Sequence, residues 1–379
     1  MEDGAEEIRM NIVIMNRQYG DTVGGVERAS IRLANEMAAR GHNVHVISLD
    51  LPEAQTAFPL DGRVTWHRIS RISAKGKAGW RERFRRHCAI FRILKEHRID
   101  AAIGFQDGAY LSLVTGAIGT GVPVIAAERN APSRFDYLSG KHAKFVAFNS
   151  FRLAARVTLQ CASYADGYPD YLRDKIVVIP NSVDAAMTQA DAAGAGKSAK
   201  EIVFVGRLDY QKNPAVLLAA FEKIHTAFPG WVLRFVGGGP YEERLIEQAE
   251  RSGIRGKVFF EGMQKDVDKY YAGAQVFCLP SLWEGFPNAL GEAMAHGLAC
   301  VGFKACSGVR DLIADGTTGI LAEGKTDDSA SLSQCLAALM ASDQMRVSMG
   351  HAASEAMKAY EPRKIYDLWE ELFRSVRRR

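Results

Sequence analysis

No apolar run in these 379 residues approaches the roughly 18–20 positions that a helix needs to cross a bilayer. The first residues are acidic (Glu2, Asp3, Glu6, Glu7), where a secretory signal would carry basic and then apolar positions. The expectation is a cytoplasmic protein, at most peripheral on the inner face of the membrane. Cysteine is scarce. The six (Cys88, Cys161, Cys278, Cys300, Cys306, Cys335) are scattered, with no Cys-x-x-Cys pair and no nearby His at zinc spacing, which argues against a disulfide framework and a metal knuckle. They read as reduced core residues. Excess charge of one sign is lacking too: 48 Lys and Arg against 44 Asp and Glu leave +4, so attraction to an anionic partner must come from a local cluster. Nucleic acid is not implied.

With 47% hydrophobic residues, a chain of this length fills two cores more readily than one. Short runs rich in Val, Ile and Phe alternate with segments of helical period, the pattern of α/β folds with parallel sheets covered by helices. Buried strands are predicted at residues 10–15, 44–49, 101–105, 122–127, 144–148 and 176–179. A second series follows at 201–205, 232–236, 258–260, 276–279 and 299–302. Between them, 184–200 is small and polar and reads as a linker or exposed loop, placing a domain boundary near residue 183. Gly196-Lys197-Ser198 has the ending of a phosphate-binding loop but no strand before it, and Asp191 stands where the first glycine belongs.

Three constellations point to an anionic ligand. Gly24 and Gly25 sit at a strand-to-helix turn, where backbone can approach phosphate and a helix N-terminus favours negative charge. Arg207 and Lys212 follow the predicted strand 201–205, just past its carboxyl end, the place where open α/β sheets bind ligands. Two cations there suit a diphosphate, the fork of Arg207 taking two oxygens and Lys212 acting as a point charge. Finally, Glu284 lies in a loop and Glu292 in the first turns of the following helix. Between them Phe286, Pro287, Asn288, Ala289 and Leu290 are expected to present backbone N–H groups to an anion or to sugar hydroxyls.

With Gly-Gly-Val-Glu-Arg at 24–28, Ile-Pro-Asn-Ser-Val-Asp at 179–184, Gly-Arg-Leu at 206–208 with Lys212, Val-Gly-Gly-Gly-Pro at 236–240, and Glu284 separated by seven residues from Glu292, nearly the whole chain resembles retaining glycosyltransferase family 4. This family includes bacterial polysaccharide and lipid-linked glycan hexosyl- and N-acetylhexosaminyltransferases. The resemblance implies the GT-B fold: two doubly wound Rossmann-like domains facing a cleft. Residues 1–183 would bind acceptor, 184–360 nucleotide sugar, and 361–379 would form a helix returning to the first domain through Ile365, Leu368, Trp369, Leu372 and Phe373. It also implies retaining, metal-independent transfer of a hexose or N-acetylhexosamine from a nucleotide diphosphate sugar, UDP favoured over GDP, to a glycan acceptor that is lipid-linked. No cofactor is expected, since the nucleotide sugar is a substrate. Arg207 and Lys212 would hold the diphosphate, Glu284 the donor sugar and Glu292 the ribose, with Arg207, Lys212 and Glu284 the catalytic set.

Many relatives carry a His at the end of a first-domain strand, whereas the corresponding region here reads Gly-Phe-Gln-Asp-Gly at 104–108. Gln106, Asp107, Glu128, Arg129 and Asn130 are the acceptor-side candidates. Glu128 is open between a sugar-reading role and a structural ion pair. Residues 80–95 form a basic amphipathic segment whose Arg81 and Arg85 suit a lipid diphosphate or an anionic bilayer, preceded by a basic loop at 70–79; the alternative is a docked helix with a solvated face. Asp266-Val267-Asp268 has the spelling of a metal-binding DxD, but capping of a helix start accounts for it, so no metal is expected. Two rival functions stay open, a nucleotide-sugar epimerase of the same fold and a non-catalytic nucleotide-binding peripheral membrane protein.

Overall fold

The computed structural model describes residues 9–20, 24–72, 76, 78–132 and 141–378, without the side chains of 107 and 141–143. The acidic start of the chain, residues 21–23 and part of the basic loop at 70–79 lie outside the described residues. The chain divides into two compact units, one running to Ile179 and including Ile365–Arg379, the other Pro180–Lys364.

The first unit is built on strands β1 (Asn11–Met15), β2 (Asn43–Ser48), β3 (Thr65–Arg68), β4 (Ala101–Phe105), β5 (Val124–Ala127), β6 (Arg156–Leu159) and β7 (Ile176–Val178). Their order is β3-β2-β1-β4-β5-β6-β7, every pairing parallel. The second unit carries β8 (Lys200–Val205), β9 (Trp231–Val236), β10 (Val258–Phe260), β11 (Val276–Leu279), β12 (Ala299–Phe303) and β13 (Gly319–Ala322). These are arranged β10-β9-β8-β11-β12-β13, again parallel. The central strands are continuous apolar runs because helices cover both faces. The predicted α/β fold of two parallel sheets is therefore present.

Residues 144–148 depart from expectation: they belong to the helix Lys141–Ser150. Ala147 and Phe148 are buried while Phe145 and Val146 are exposed, the one-sided burial of a helix rather than the two-sided burial of a central strand. The strand of that region is β6. Strands β3, β6 and β13, of four residues each, were not expected.

In the first unit, helices α1 (Gly25–Ala39), α2 (Trp80–Glu96) and α3 (Gln106–Gly116) follow their strands. The terminal helix Pro362–Val376 completes this core, inserting Ile365, Tyr366, Trp369, Leu372 and Phe373 among Ile12, Ile14, Ile103 and Phe105. Leu368, expected in that stripe, is 41% exposed, and Tyr366 takes the inward position. Arg40 fixes the helix, donating to Asp367 at 2.6 Å and Glu370 at 2.8 Å.

The small, polar segment 184–199 is docked on the second unit rather than loose. Arg346, fully buried, donates to the carbonyls of Ala192 (2.8 Å), Ala193 (3.1 Å) and Leu339 (2.6 Å). Gln275 donates to Asp191 O at 3.0 Å. A segment poor in side chains is held by its backbone acceptors, which composition does not reveal. Arg346→Met, which removes the side-chain donor from the Ala192 and Ala193 carbonyls, is expected to cost about 2–3 kcal/mol in urea unfolding, with residue 346 lying over Trp231 at the amino end of β9, away from the carboxyl ends of the strands.

Candidate active site

The second unit gathers the donor-side residues at the carboxyl ends of β8, β9 and β11. Two glycine-bearing turns interlock there. Gly206 N–H donates to Val236 O (3.0 Å), Leu208 N–H to Gly238 O (3.0 Å) and Tyr241 N–H to Leu208 O (2.9 Å). Such close approach needs glycine: a Cβ at Gly237, whose φ is +130°, would stand 2.0 Å from Gly206 O, and one at Gly239 2.4 Å from Leu208 O. The turn so fixed carries Arg207, which is mostly exposed, pairs with Asp209 at 3.0 Å and donates to Gln211 at 3.1 Å.

Asp209 also accepts from Lys212 N–H at 3.0 Å, and Asn213, in the left-handed region with φ +52°, turns the chain into the helix Pro214–Ile224. Lys212 is thereby aimed at the loop after β11, where its Nζ donates to Glu284 Oε1 at 2.7 Å. Both side chains are largely buried, 16% and 5% exposed. Ser281 donates to the same oxygen at 2.5 Å. Gln211 ties the two loops together through Trp283 O at 3.0 Å and Leu282 N–H at 2.9 Å. A buried carboxylate, its cation and an exposed guanidinium thus share one end of one sheet.

Glu292 is the fifth residue of the helix Asn288–Ala295 and accepts from Tyr271 Oη at 3.1 Å. Burial, reinforced by the Glu292 charge, pushes the Tyr271 phenol well above its ordinary range, so it remains a donor. The open run of N–H groups expected over Phe286–Leu290 is corrected. Asn288 N–H is given to Phe286 O at 2.9 Å, Leu290 N–H to Pro287 O at 2.9 Å, and Pro287 has none. Phe286 is buried and packs on Tyr360, Asn288 accepts from Asn181, and Gly291 lets Val183 approach, so this loop is also joined to the 179–184 motif. Ala289 lies in the first turn beside Asn288.

Gly24 and Gly25 belong to the other unit, where Gly24 caps α1 and Gly25 begins it. A side chain at 24 would run into the Glu27 carboxylate. The acceptor-side candidates also lie in the first unit. Gln106, φ +65°, follows β4 with no intervening loop, and Gly104 permits this because a Cβ there would stand 2.5 Å from Tyr110 Cα. Asp107 is the second residue of α3. Glu128 and Arg129 extend β5 into the interior, both buried. Tyr168 donates to Glu128 at 3.4 Å, and Arg129 lies over the Phe105 ring, its ionisation pulled down to about 10 by burial. Asn130 is half-buried beside them.

Arg81 and Arg85 on α2 differ from each other. Arg81 is exposed, along with Trp80, Arg83, Phe84, Arg92 and Lys95. Arg85 instead turns inward to Glu82 at 2.7 Å and to Ile69 O, and Arg86 reaches Glu82 at 3.0 Å and Ser70 at 2.6 Å. Arg85, more than any other neighbour, holds the Glu82 carboxyl well below its usual range. The expected cationic role of Arg85 is corrected to a structural one, and the i+3 and i+4 spacing from Glu82 was the available signal. Asp266 accepts from Asp268 N–H at 3.2 Å at the start of the helix Asp268–Gly273. Ser281, Gln211 and Tyr271 were not among the expected site residues; nothing in their spacing marks them.

The sequence matches the family described as Glycosyltransferase Family 4 over residues 23–186 and the one described as Glycosyl transferases group 1 over residues 188–356. It is 25% identical over 372 residues to a Campylobacter jejuni α-1,4-N-acetyl-D-galactosaminyltransferase whose name specifies a diphospho-undecaprenol-linked glycan, covering 93% of this chain and 96% of that protein. It is 28% identical to a Mycobacterium leprae phosphatidyl-myo-inositol mannosyltransferase, covering 90% of each. Among solved structures, Anabaena HepE in complex with UDP and glucose superposes with a TM-score of 0.78 at 17% identity, covering 97% of this chain and 100% of that one. Together with the two parallel sheets and their order, these matches assign the chain: it belongs to glycosyltransferase family 4 and is a glycosyltransferase with the GT-B fold.

Proposed function

We propose that the chain moves a hexose or N-acetylhexosamine from a UDP-sugar to a lipid-linked glycan, retaining the anomeric configuration and using no metal ion, in cell-surface glycan synthesis. The observation that carries this is the Lys212–Glu284 pair at the carboxyl end of the second sheet, with Arg207 on the adjoining turn. Arg207 and Lys212 bind the diphosphate, Glu284 reads donor-sugar hydroxyls, and Glu292, oriented by Tyr271, takes the ribose. Gly24 and Gly25 offer backbone to the donor phosphates. The second unit is thus the nucleotide-sugar unit and the first the acceptor unit, with Gln106, Asp107, Glu128, Arg129 and Asn130 as its acceptor-side groups.

In the step itself the C1–O bond to the diphosphate breaks while the acceptor oxygen bonds C1 on the same face, and the acceptor proton passes to a diphosphate oxygen. The two cations stabilise the charge that grows on the leaving group. UDP and the lipid-linked acceptor are favoured by the ligands of HepE and by the substrate in the Campylobacter protein's name. Exposed Trp80, Phe84, Arg81 and Arg83 on α2 suit contact with an anionic bilayer. No described helix is long and apolar enough to cross one.

The test is release of nucleoside diphosphate from a panel of UDP- and GDP-sugars in EDTA, with and without membrane lipid extract, and NMR assignment of the product anomer. Acceptor-dependent release from one UDP-sugar with retention is expected. Turnover of donor without acceptor would establish the epimerase, no turnover the binding protein, and dependence on added Mg²⁺ or Mn²⁺ would overturn the metal-free mechanism.

A further inference from the structure

Three imidazoles from distant parts of the sequence converge in the first unit. His45 stands on β2, His67 on the edge strand β3, and His97 caps the C-terminus of α2. Parallel pairing sets Ile47 opposite His67, so His45 and His67 are diagonal neighbours on one face of the sheet. Trp66 and Arg68, which flank His67 and stack on each other at 3.8 Å, point to the other face. His45 Nδ1 lies 3.0 Å from His67 Nε2, and the His97 ring is 4.2 Å from that of His45 and 5.3 Å from that of His67.

We propose that His45, His67 and His97 form a binding site for one zinc-class transition-metal ion, which clips the edge strand β3 and the end of α2 onto β2. One ligand nitrogen from each ring lies within 4.8 Å of the others. A tetrahedral ion with nitrogen ligands at 2.0–2.1 Å sets them about 3.3 Å apart, so the closest pair, at 3.0 Å, opens by a few tenths of an ångström and the third closes by a side-chain rotation of about 1.5 Å. Among the described residues no carboxylate or thiol joins the set. An all-imidazole, uncharged shell selects zinc, nickel, cobalt or copper and discriminates against magnesium and calcium, which require oxygen ligands.

The surroundings favour a cation. The carbonyl end of α2, where His97 sits, carries partial negative charge. Both strand ligands are third in their strands, on the amino side of the carboxyl ends where substrates bind, which gives the ion a structural role and leaves transfer independent of it. A four-residue edge strand is the element with most to gain from such a clip.

The experiment uses the full chain with any affinity tag removed, stripped with chelator and dialysed, then titrated with ZnCl₂ or CoCl₂ alongside MgCl₂ and CaCl₂. One equivalent of zinc retained through gel filtration is expected, with tetrahedral cobalt absorption and no uptake of magnesium or calcium. At a hundredfold excess over the dissociation constant, zinc should raise the melting temperature of the first unit by about 5–10 °C. His67→Gln and His97→Gln, each at a half-buried position, should bind at least tenfold more weakly and lose the thermal shift while folding normally in the absence of metal. Failure of the wild type to retain an equivalent, or equal retention by both variants, overturns the site. Nucleoside diphosphate release by the stripped protein is read separately and tests only the transfer reaction.

Discussion

Lys212→Met is expected to lower kcat about 100- to 1,000-fold while changing donor affinity far less, because in the proposed mechanism the cation acts on charge that appears mainly as the diphosphate departs. The same substitution has a structural effect that must be separated from the catalytic one. Glu284, with its side chain 5% exposed, loses the ammonium 2.7 Å away and keeps Ser281 as a neutral donor. Breaking a buried pair from one side costs about 3 kcal/mol, since the remaining charge stays desolvated.

A double variant distinguishes the two effects. Adding Glu284→Gln to Lys212→Met removes the buried charge, and urea unfolding should recover most of the lost stability. Turnover should not recover, because both the proposed diphosphate cation and the proposed sugar-reading carboxylate are then gone. If turnover rises with stability in the double variant, the pair serves the fold and the donor-site assignment fails. If both singles and the double transfer sugar at wild-type rates, catalysis lies elsewhere.

The strands that sequence located well are uninterrupted apolar runs, most of them buried on both faces. Ala101–Phe105 and Val276–Leu279 coincide with their apolar runs, since a central parallel strand has no polar face to blur its pattern, and the edge strand Val258–Phe260 coincides because all three of its residues are apolar although Phe259 is exposed. The missed strands are short, and polar residues or glycine make up part of each. Thr65–Arg68 is an edge strand half open to solvent, and Lys-Phe-Val-Ala-Phe at 144–148 is apolar enough for a strand but too brief to show its helical period.

The site was legible to a similar degree, and for a related reason. Glu284 and Glu292 stand out because both lie on one loop and helix, and Arg207 and Lys212 because they share one turn. That Lys212 meets Glu284, 72 residues further on, depends on β8 and β11 being neighbours in the sheet, and spacing along the chain holds no trace of it. The convergence of His45, His67 and His97 is hidden for the same reason, being a product of strand register and of where α2 ends. Arg85 is the opposite case, a local pairing with Glu82 that helical spacing alone discloses.

Gly237→Ala should be the most damaging single change outside the charged groups, and it tests the frame on which they rest. Gly237 has φ +130°, which L side chains rarely adopt, and its added methyl would stand 2.0 Å from Gly206 O, a backbone atom that cannot rotate away. Strain of about 1–3 kcal/mol from the dihedral and a similar amount from overpacking add to about 2–6 kcal/mol of lost stability. The structure has one way to relieve the clash, which is to part the turn of Gly206 and Arg207 from that of Gly237 and Gly238, breaking the bonds from Gly206 N–H to Val236 O and from Leu208 N–H to Gly238 O. That displaces Arg207, so the surviving folded protein should also lose donor turnover, by tenfold or more for a shift on the order of 1 Å. Gly230→Ala, at a turn where an added methyl meets nothing within 4 Å, is the control and should leave both quantities near wild type. Equal unfolding midpoints and equal turnover for Gly237→Ala and the control would mean that the interlocked turns do not position the cations, and the account of how this sheet end is built would have to be abandoned.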